Sequence, residues 1–182
     1  MSSSQETRLT PAVIGRLLRV VPELLRLELE TLPAEVLEYH PAPGEWCVNE
    51  VLGHLIEEDP RDFAGRIRAI LDGPDAVLPV SDQVAIVRLR HDCNRSVSEL
   101  LEEFSGQRTA SLVLIDSLRP SDLDRAGRHS RIGRITVSDL LHEWVYHDRN
   151  HILSFAKTSS HSSNFHVRMM SLPSSGAYAA ST

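Results

Sequence analysis

The 182 residues, 41% hydrophobic and 24% charged, suffice for one domain with its own core and exclude disordered or collagen-like composition. A formal charge of −6 and a pI near 5.8 have the wrong sign for gripping phosphate backbones, so nucleic acid is not an expected partner. The start of the chain lacks the apolar core of a signal peptide, and no stretch approaches the ~20 apolar residues of a membrane span, so a cytoplasmic location is expected and a membrane is not.

Apolar residues recur at three- and four-residue spacing, which predicts helices throughout and an all-α fold. After a disordered N-terminus over 1–9, the first helix opens with Thr10 as N-cap and Pro11 at the favoured first position. It carries Ile14, Leu17, Leu18, Val21, Leu25 and Leu29 on one stripe, with a kink expected at Pro22. Pro33 and Pro41-Ala-Pro-Gly44 form a connection. A second helix is predicted from Val48 to Leu71, interrupted by Pro60. Cys47 and Cys93 stand far apart and in no paired-thiol motif, which predicts two ordinary reduced thiols and no CxxC metal site.

A third helical region spans about Asp82 to Leu118, broken near Asp92-Cys-Asn94, with Leu100, Leu101, Phe104, Leu112 and Ile115 as core candidates. Gly127 to Gly133 reads as loop. Thr136-Val-Ser-Asp139 has capping-box spacing and opens the last helix. From Lys157 the periodicity fails, and a Ser-rich segment over 158–182 reads as a disordered tail. Residues 10–157 thus form a four-helix bundle, whose interior is a natural place for a metal held by side chains of different helices.

On the last helix Val137, Leu140, Trp144, His147, His151 and Phe155 fall within about 80° of one another, so two imidazoles sit in the core-facing stripe while His142 faces away. Four residues apart on one face, both rings can reach one ion. The alternative is a pair of hydrogen-bonded core histidines, each of which must find partners for its ring nitrogens. On the second helix His54 lies about 120° from the centre of the apolar stripe, and by phase alone is as compatible with the surface as with a ligand. No Glu has a His three residues on, as ferritin-like di-iron sites require. His142-Glu143-Trp-Val-Tyr-His147 is one residue too long for a zinc-protease helix.

Three segments together resemble the DinB/YfiT-like superfamily of helical metalloenzymes. They are Trp46-Cys-Val-Asn-Glu-Val-Leu-Gly-His54-Leu, Phe63-Ala-Gly-Arg-Ile-Arg68 and Leu140-Leu-His-Glu-Trp-Val-Tyr-His147-Asp-Arg-Asn-His151. The resemblance covers about residues 10–153. It implies a DinB-like four-helix bundle with a divalent metal, zinc or nickel before iron, held by His54, His147 and His151. The chain departs from the family pattern with Cys47 in place of the usual capping Ser, Pro60 within the second helix, and Ser154-Phe155 after the last histidine.

Three histidines leave a coordination position open, the layout of a catalytic rather than a structural site. The resemblance therefore implies a thiol-dependent S-transferase or a metal-dependent hydrolase acting on a small molecule, with a low-molecular-weight thiol as cosubstrate in the first case. Glu58, one turn after His54, and Asp148, beside the histidine pair, are candidates for a general base or for a partner that orients a ligand. Each could equally be a solvated helix carboxylate. The alternative function is a non-enzymatic bundle with core histidines, acting through interactions or in stress response. A homodimer is a possible assembly.

Overall fold

A computed structural model describes residues 9–73 and 76–160. Thr10 caps α1 (Pro11–Arg19), its Oγ1 accepting the Val13 N–H at 3.3 Å. The chain breaks at Val20 and resumes as α2 (Val21–Leu29). The cause is Pro22, which has no N–H for the Leu18 carbonyl four residues back. That carbonyl accepts instead from Arg108 Nη1 at 2.9 Å. A single turn, α3 (Ala34–Leu37), precedes α4 (Val48–Glu58).

The interruption expected at Pro60 is a π-helical turn over Asp59–Phe63, after which α5 (Ala64–Asp72) continues. The Ala64 N–H reaches back five residues to the Asp59 carbonyl, so one extra residue is accommodated and Pro60's missing donor is bypassed. Gly65 is required here: a Cβ at this position would lie 2.7 Å from the Pro60 carbonyl oxygen.

Asp82 caps α6 (Gln83–Arg90), accepting the Ala85 N–H at 3.0 Å. His91 takes the left-handed conformation (φ 54°) that ends this helix. A 3-10 turn, Asp92–Asn94, follows and leads into α7 (Val97–Ser117), so the break foreseen in this region falls where the sequence indicated. Thr136 and Asp139 form the reciprocal capping box, with N–H···O distances of 2.9 and 3.0 Å, and open α8 (Val137–Ser160). Residues 158–160, expected to begin the tail, instead continue α8 as helix. Leu9 of the expected N-terminal segment 1–9 is tied down through its N–H, which donates to His142 Nε2 at 3.1 Å. The rest of both segments lies outside the described residues.

The stretch expected to be loop is instead a hairpin. β2 (Ala126–His129) pairs antiparallel with β3 (Gly133–Thr136), and β1 (Val77–Leu78) adds to β2 in parallel. These strands are too short and polar to carry an alternating signal. Their pairing is set by the chain returning past α5 and by Gly133 (φ 84°) at the turn.

The bundle is built from α1 with α2, α4 with α5, α7 and α8. Of the first helix's predicted stripe only Leu17 is not fully buried, and all five core candidates of α7 are buried. The apolar core falls into two clusters. One contains Ile14, Leu18, Phe63, Ile67, Leu112 and Trp144, with Phe63 stacked on Trp144 at 5.0 Å. The other contains Val21, Leu25, Leu52, Ile56, Phe104 and Phe155. Along each long helix a polar residue separates the two: Asp59 between Ile56 and Phe63, Arg108 between Phe104 and Leu112, Asp148 between Trp144 and Phe155. All three are at most 2% exposed.

Candidate metal centre

The candidate ligands come from two of these helices. His54 comes from α4, His147 and His151 from adjacent turns of α8, and one ring nitrogen from each lies within 4.8 Å of the others. Ring centroids are 5.2 Å apart for His54–His147 and His54–His151, and 4.6 Å for His147–His151. Trp46 (5.2 Å from His54) and Phe63 (5.3 Å from His147) wall the group.

His54 is only 6% exposed, although its phase put it off the apolar stripe. Phase arguments assume one buried face, but every residue of α4 over Val48–Ile56 is buried except the half-buried Glu50, because α6, the Asp92–Asn94 turn, α7 and α8 all pack around it. Gly53 makes this enclosure possible. A Cβ there would collide with the Asp92 carboxylate, which is itself buried and held by Arg90 and by Arg95 Nη1 at 2.9 Å.

Burial, reinforced by the charge His147 would carry, lowers the pKa of His54 to about 3. Burial, with His147 and His54 adding to it, likewise holds His151 well below the ordinary imidazole value. Both rings are therefore neutral near pH 7, the form that ligates metals. The Nε2 atoms of His54 and His147 face each other at 3.1 Å. One proton can serve that pair but not the third ring, and the Nδ1 atoms of His54 and His147 are buried without hydrogen-bond partners. A self-satisfied core network is thus not what these residues form. One cation about 2.1 Å from both Nε2 atoms would see them at roughly 95°, within the range of octahedral and tetrahedral coordination. The donor set fits a divalent ion.

Glu58 is half-buried at the C-terminal end of α4. Burial, with Asp62 beside it, raises its pKa to about 7, against the pull of His147 and Arg66. Asp148 sits on the same helix as the histidines but turns into the core, with Oδ2 2.8 Å from Arg108 Nη1 and Oδ1 3.8 Å from His147 Nδ1. The first is a charge contact whose angle falls short of a hydrogen bond; the second is too long for one.

Residues that sequence reasoning passed over complete the surroundings. Arg108 Nε donates to Asp59 Oδ2 at 2.6 Å, and Ser111 donates to Asp59 Oδ1. The guanidinium lies 4.8 Å from the Phe104 ring and 5.5 Å from Trp144. Burial raises the Asp59 pKa while Arg108 and Ser111 draw it down. Asp62, also buried, pairs with Arg66 and accepts from Ser81 (3.0 Å) and Gln83 (2.8 Å). The available signal was positional: Arg108 occupies the core spacing of Leu101, Phe104, Leu112 and Ile115. Cys47 and Cys93, expected to be unrelated, are brought together with His40 and Glu50, because the 3-10 turn packs on the N-terminus of α4.

A bundle of helices that brings together three histidines from two of them, one buried and two half-buried, offers a donor group that could hold a metal ion, as helix bundles do between facing helices. The profile of the DinB superfamily matches residues 17–154, and the chain belongs to that superfamily. It is 23% identical over 132 residues, 72% of this chain and 76% of the relative, to a protein of Oceanobacillus iheyensis named as a candidate metal-dependent hydrolase. Its fold matches YfiT of Bacillus subtilis with a TM-score of 0.76 at 21% identity, over 87% of this chain and 89% of that one. YfiT is described as a probable metal-dependent hydrolase with an unusual four-helix bundle topology.

Proposed function

We propose that this chain is a metal-dependent hydrolase of a small molecule, with a divalent ion held by His54, His147 and His151 and with Glu58 as general base. The observation that carries this reading is the convergence of three imidazoles, two of them kept neutral by burial, beside a half-buried carboxylate whose pKa is raised toward neutrality. The names of the relatives agree with it. A divalent ion in such a site supplies Lewis acidity, bringing the pKa of a coordinated water toward neutrality.

The remaining work falls to the chain itself. Glu58 takes a proton from the nucleophile, for which a carboxylate titrating near the working pH is well matched. Trp46 and Phe63 cover two sides of the histidine group and limit bulk water there. His147, with 18% of its side chain exposed, marks the side open to substrate. Asp148, paired with Arg108 and 3.8 Å from His147 Nδ1, places a negative charge behind that ring without a hydrogen bond to it.

Elemental analysis of wild type and His151→Ala tests the ligand set. One equivalent of divalent metal per chain should be lost in the variant, and a variant that keeps the full wild-type content overturns the assignment. Glu58→Gln should retain that equivalent and lose about 10²- to 10⁴-fold in hydrolysis of activated esters and amides. Unchanged hydrolysis removes Glu58 from its role. If small thiols rather than water compete for the open position, cobalt-loaded Cys47→Ser/Cys93→Ser protein will develop a saturable sulfur-to-cobalt band. That result would replace hydrolysis with thiol transfer.

A further inference from the structure

A second group of metal-binding side chains surrounds the N-terminus of α4, seven residues and about 10 Å of helix axis from His54. His40 lies in the connection before α4, Cys47 and Glu50 at the helix start, and Cys93 in the Asp92–Asn94 turn. Each offers one donor atom within 4.8 Å of the others. We propose that His40, Cys47 and Cys93 form a second cation site, selective for a borderline-soft divalent ion of the zinc class, with Glu50 orienting His40.

Two sulfurs and an imidazole are a donor set that zinc uses and that calcium or magnesium do not. His40 is oriented for the task. Its Nε2 meets Glu50 Oε2 at 2.9 Å, while Nδ1 faces Cys93 Sγ at 4.0 Å. With the proton on Nε2 and shared with the carboxylate, the Nδ1 lone pair points toward the sulfur, the arrangement in which ligating histidines are held. Tetrahedral zinc with ordinary Zn–N and Zn–S bonds separates N and S by about 3.6 Å, so the His40–Cys93 pair at 4.0 Å has only a few tenths of an ångström to close, with Cys47 within 4.8 Å of both.

The scaffold is fixed on both sides. Glu50 Oε2 also accepts the Cys47 N–H at 2.9 Å. Asn49, 2% exposed, donates to the carbonyls of both Cys93 and Arg95 at 3.1 Å, clamping the turn that carries one cysteine to the helix that carries the other. Cys47 is fully buried, Cys93 is half-buried and the His40 side chain is 46% exposed, so an ion can enter from the His40 side. Both cysteines are free thiols.

Cobalt(II) titration of the reduced full chain, kept free of oxygen, tests the site. A sulfur-to-cobalt charge-transfer band should saturate in wild type with one sulfur-bound cobalt per chain, the three-histidine centre taking up a separate equivalent without such a band. The band should persist in His151→Ala, which disables only the three-histidine centre, and vanish in Cys93→Ser. Glu50→Gln should keep the band with affinity weakened about 10- to 100-fold. His40→Ala changes an exposed side chain, keeps the fold by far-UV circular dichroism, and should weaken cobalt affinity at least as much. The proposal is overturned if wild type shows no such band while both thiols titrate as free. It is equally overturned if the band survives Cys93→Ser, or if His40→Ala leaves the affinity unchanged.

Discussion

Replacing Arg108 by Met should cost about 3–5 kcal/mol, because it leaves two buried carboxylates without their shared cation. Arg108 Nε is 2.6 Å from Asp59 and Nη1 is 2.8 Å from Asp148, and each of the three residues is at most 2% exposed. Met keeps much of the apolar stem between Phe104 and Trp144, so the loss is electrostatic rather than a cavity. It also strips the Leu18 carbonyl of the donor Arg108 Nη1. Total stability for such a chain is about 5–15 kcal/mol, so the variant should fold but unfold early. With a urea m-value of about 2 kcal/mol/M, the midpoint should drop by roughly 1.5–2.5 M. Without the guanidinium, which draws the Asp59 pKa down, burial raises that carboxyl further above its value in the unfolded chain. The protonated form is then the one that fits, and the stability it confers is lost as pH rises through the raised value. The gap between wild type and Arg108→Met should therefore widen from pH 5 to pH 8, and Asp59→Asn with Asp148→Asn should recover at least half of it at pH 8. A gap below about 1 kcal/mol, or one that does not change with pH, would refute this account of the polar layer.

Gly53→Ala forces a methyl group against the pinned Asp92 carboxylate and should cost about 1–3 kcal/mol; a thermal midpoint within 1 °C of wild type, where about 2–4 °C per kcal/mol is expected, would show that the turn yields freely. In protein stripped of metal, His54 and His151 are neutral when folded but protonate near pH 6.5 when unfolded. Stability should fall as pH drops from about 6.5 toward the lowered folded values, by up to about 1.4 kcal/mol per pH unit for each histidine. Urea midpoints at pH 5 to 7 should show a shallower slope for His151→Phe, and identical slopes would mean that the rings are already charged in the fold.

The capping residues Thr10 and Thr136, the interruptions at Pro22 and Pro60, and the placement of Trp144, His147, His151 and Phe155 on one face were determined by the sequence alone. These features are local: they depend on which donors a helix end leaves open, on the proline ring, and on the 100° step between successive residues. The family and the bundle were also legible, through the segments around Trp46, Phe63 and His147. What the tertiary structure decided is everything that depends on how many neighbours a helix has. The phase of His54 predicted a flank, but α4 is surrounded on nearly every side, and a fully enclosed helix has no flank. Asp59, Arg108 and Asp148 read as an acidic run, one arginine in a stripe and a carboxylate beside a histidine, and became one buried network only when three helices met. The short strands around Gly127 and Gly133 pair because the chain returns there, not because their residues favour it. Cys47 and Cys93, 46 positions apart, share a site because Asn49 holds a turn against a helix end, and sequence separation carries no information about a contact made by packing.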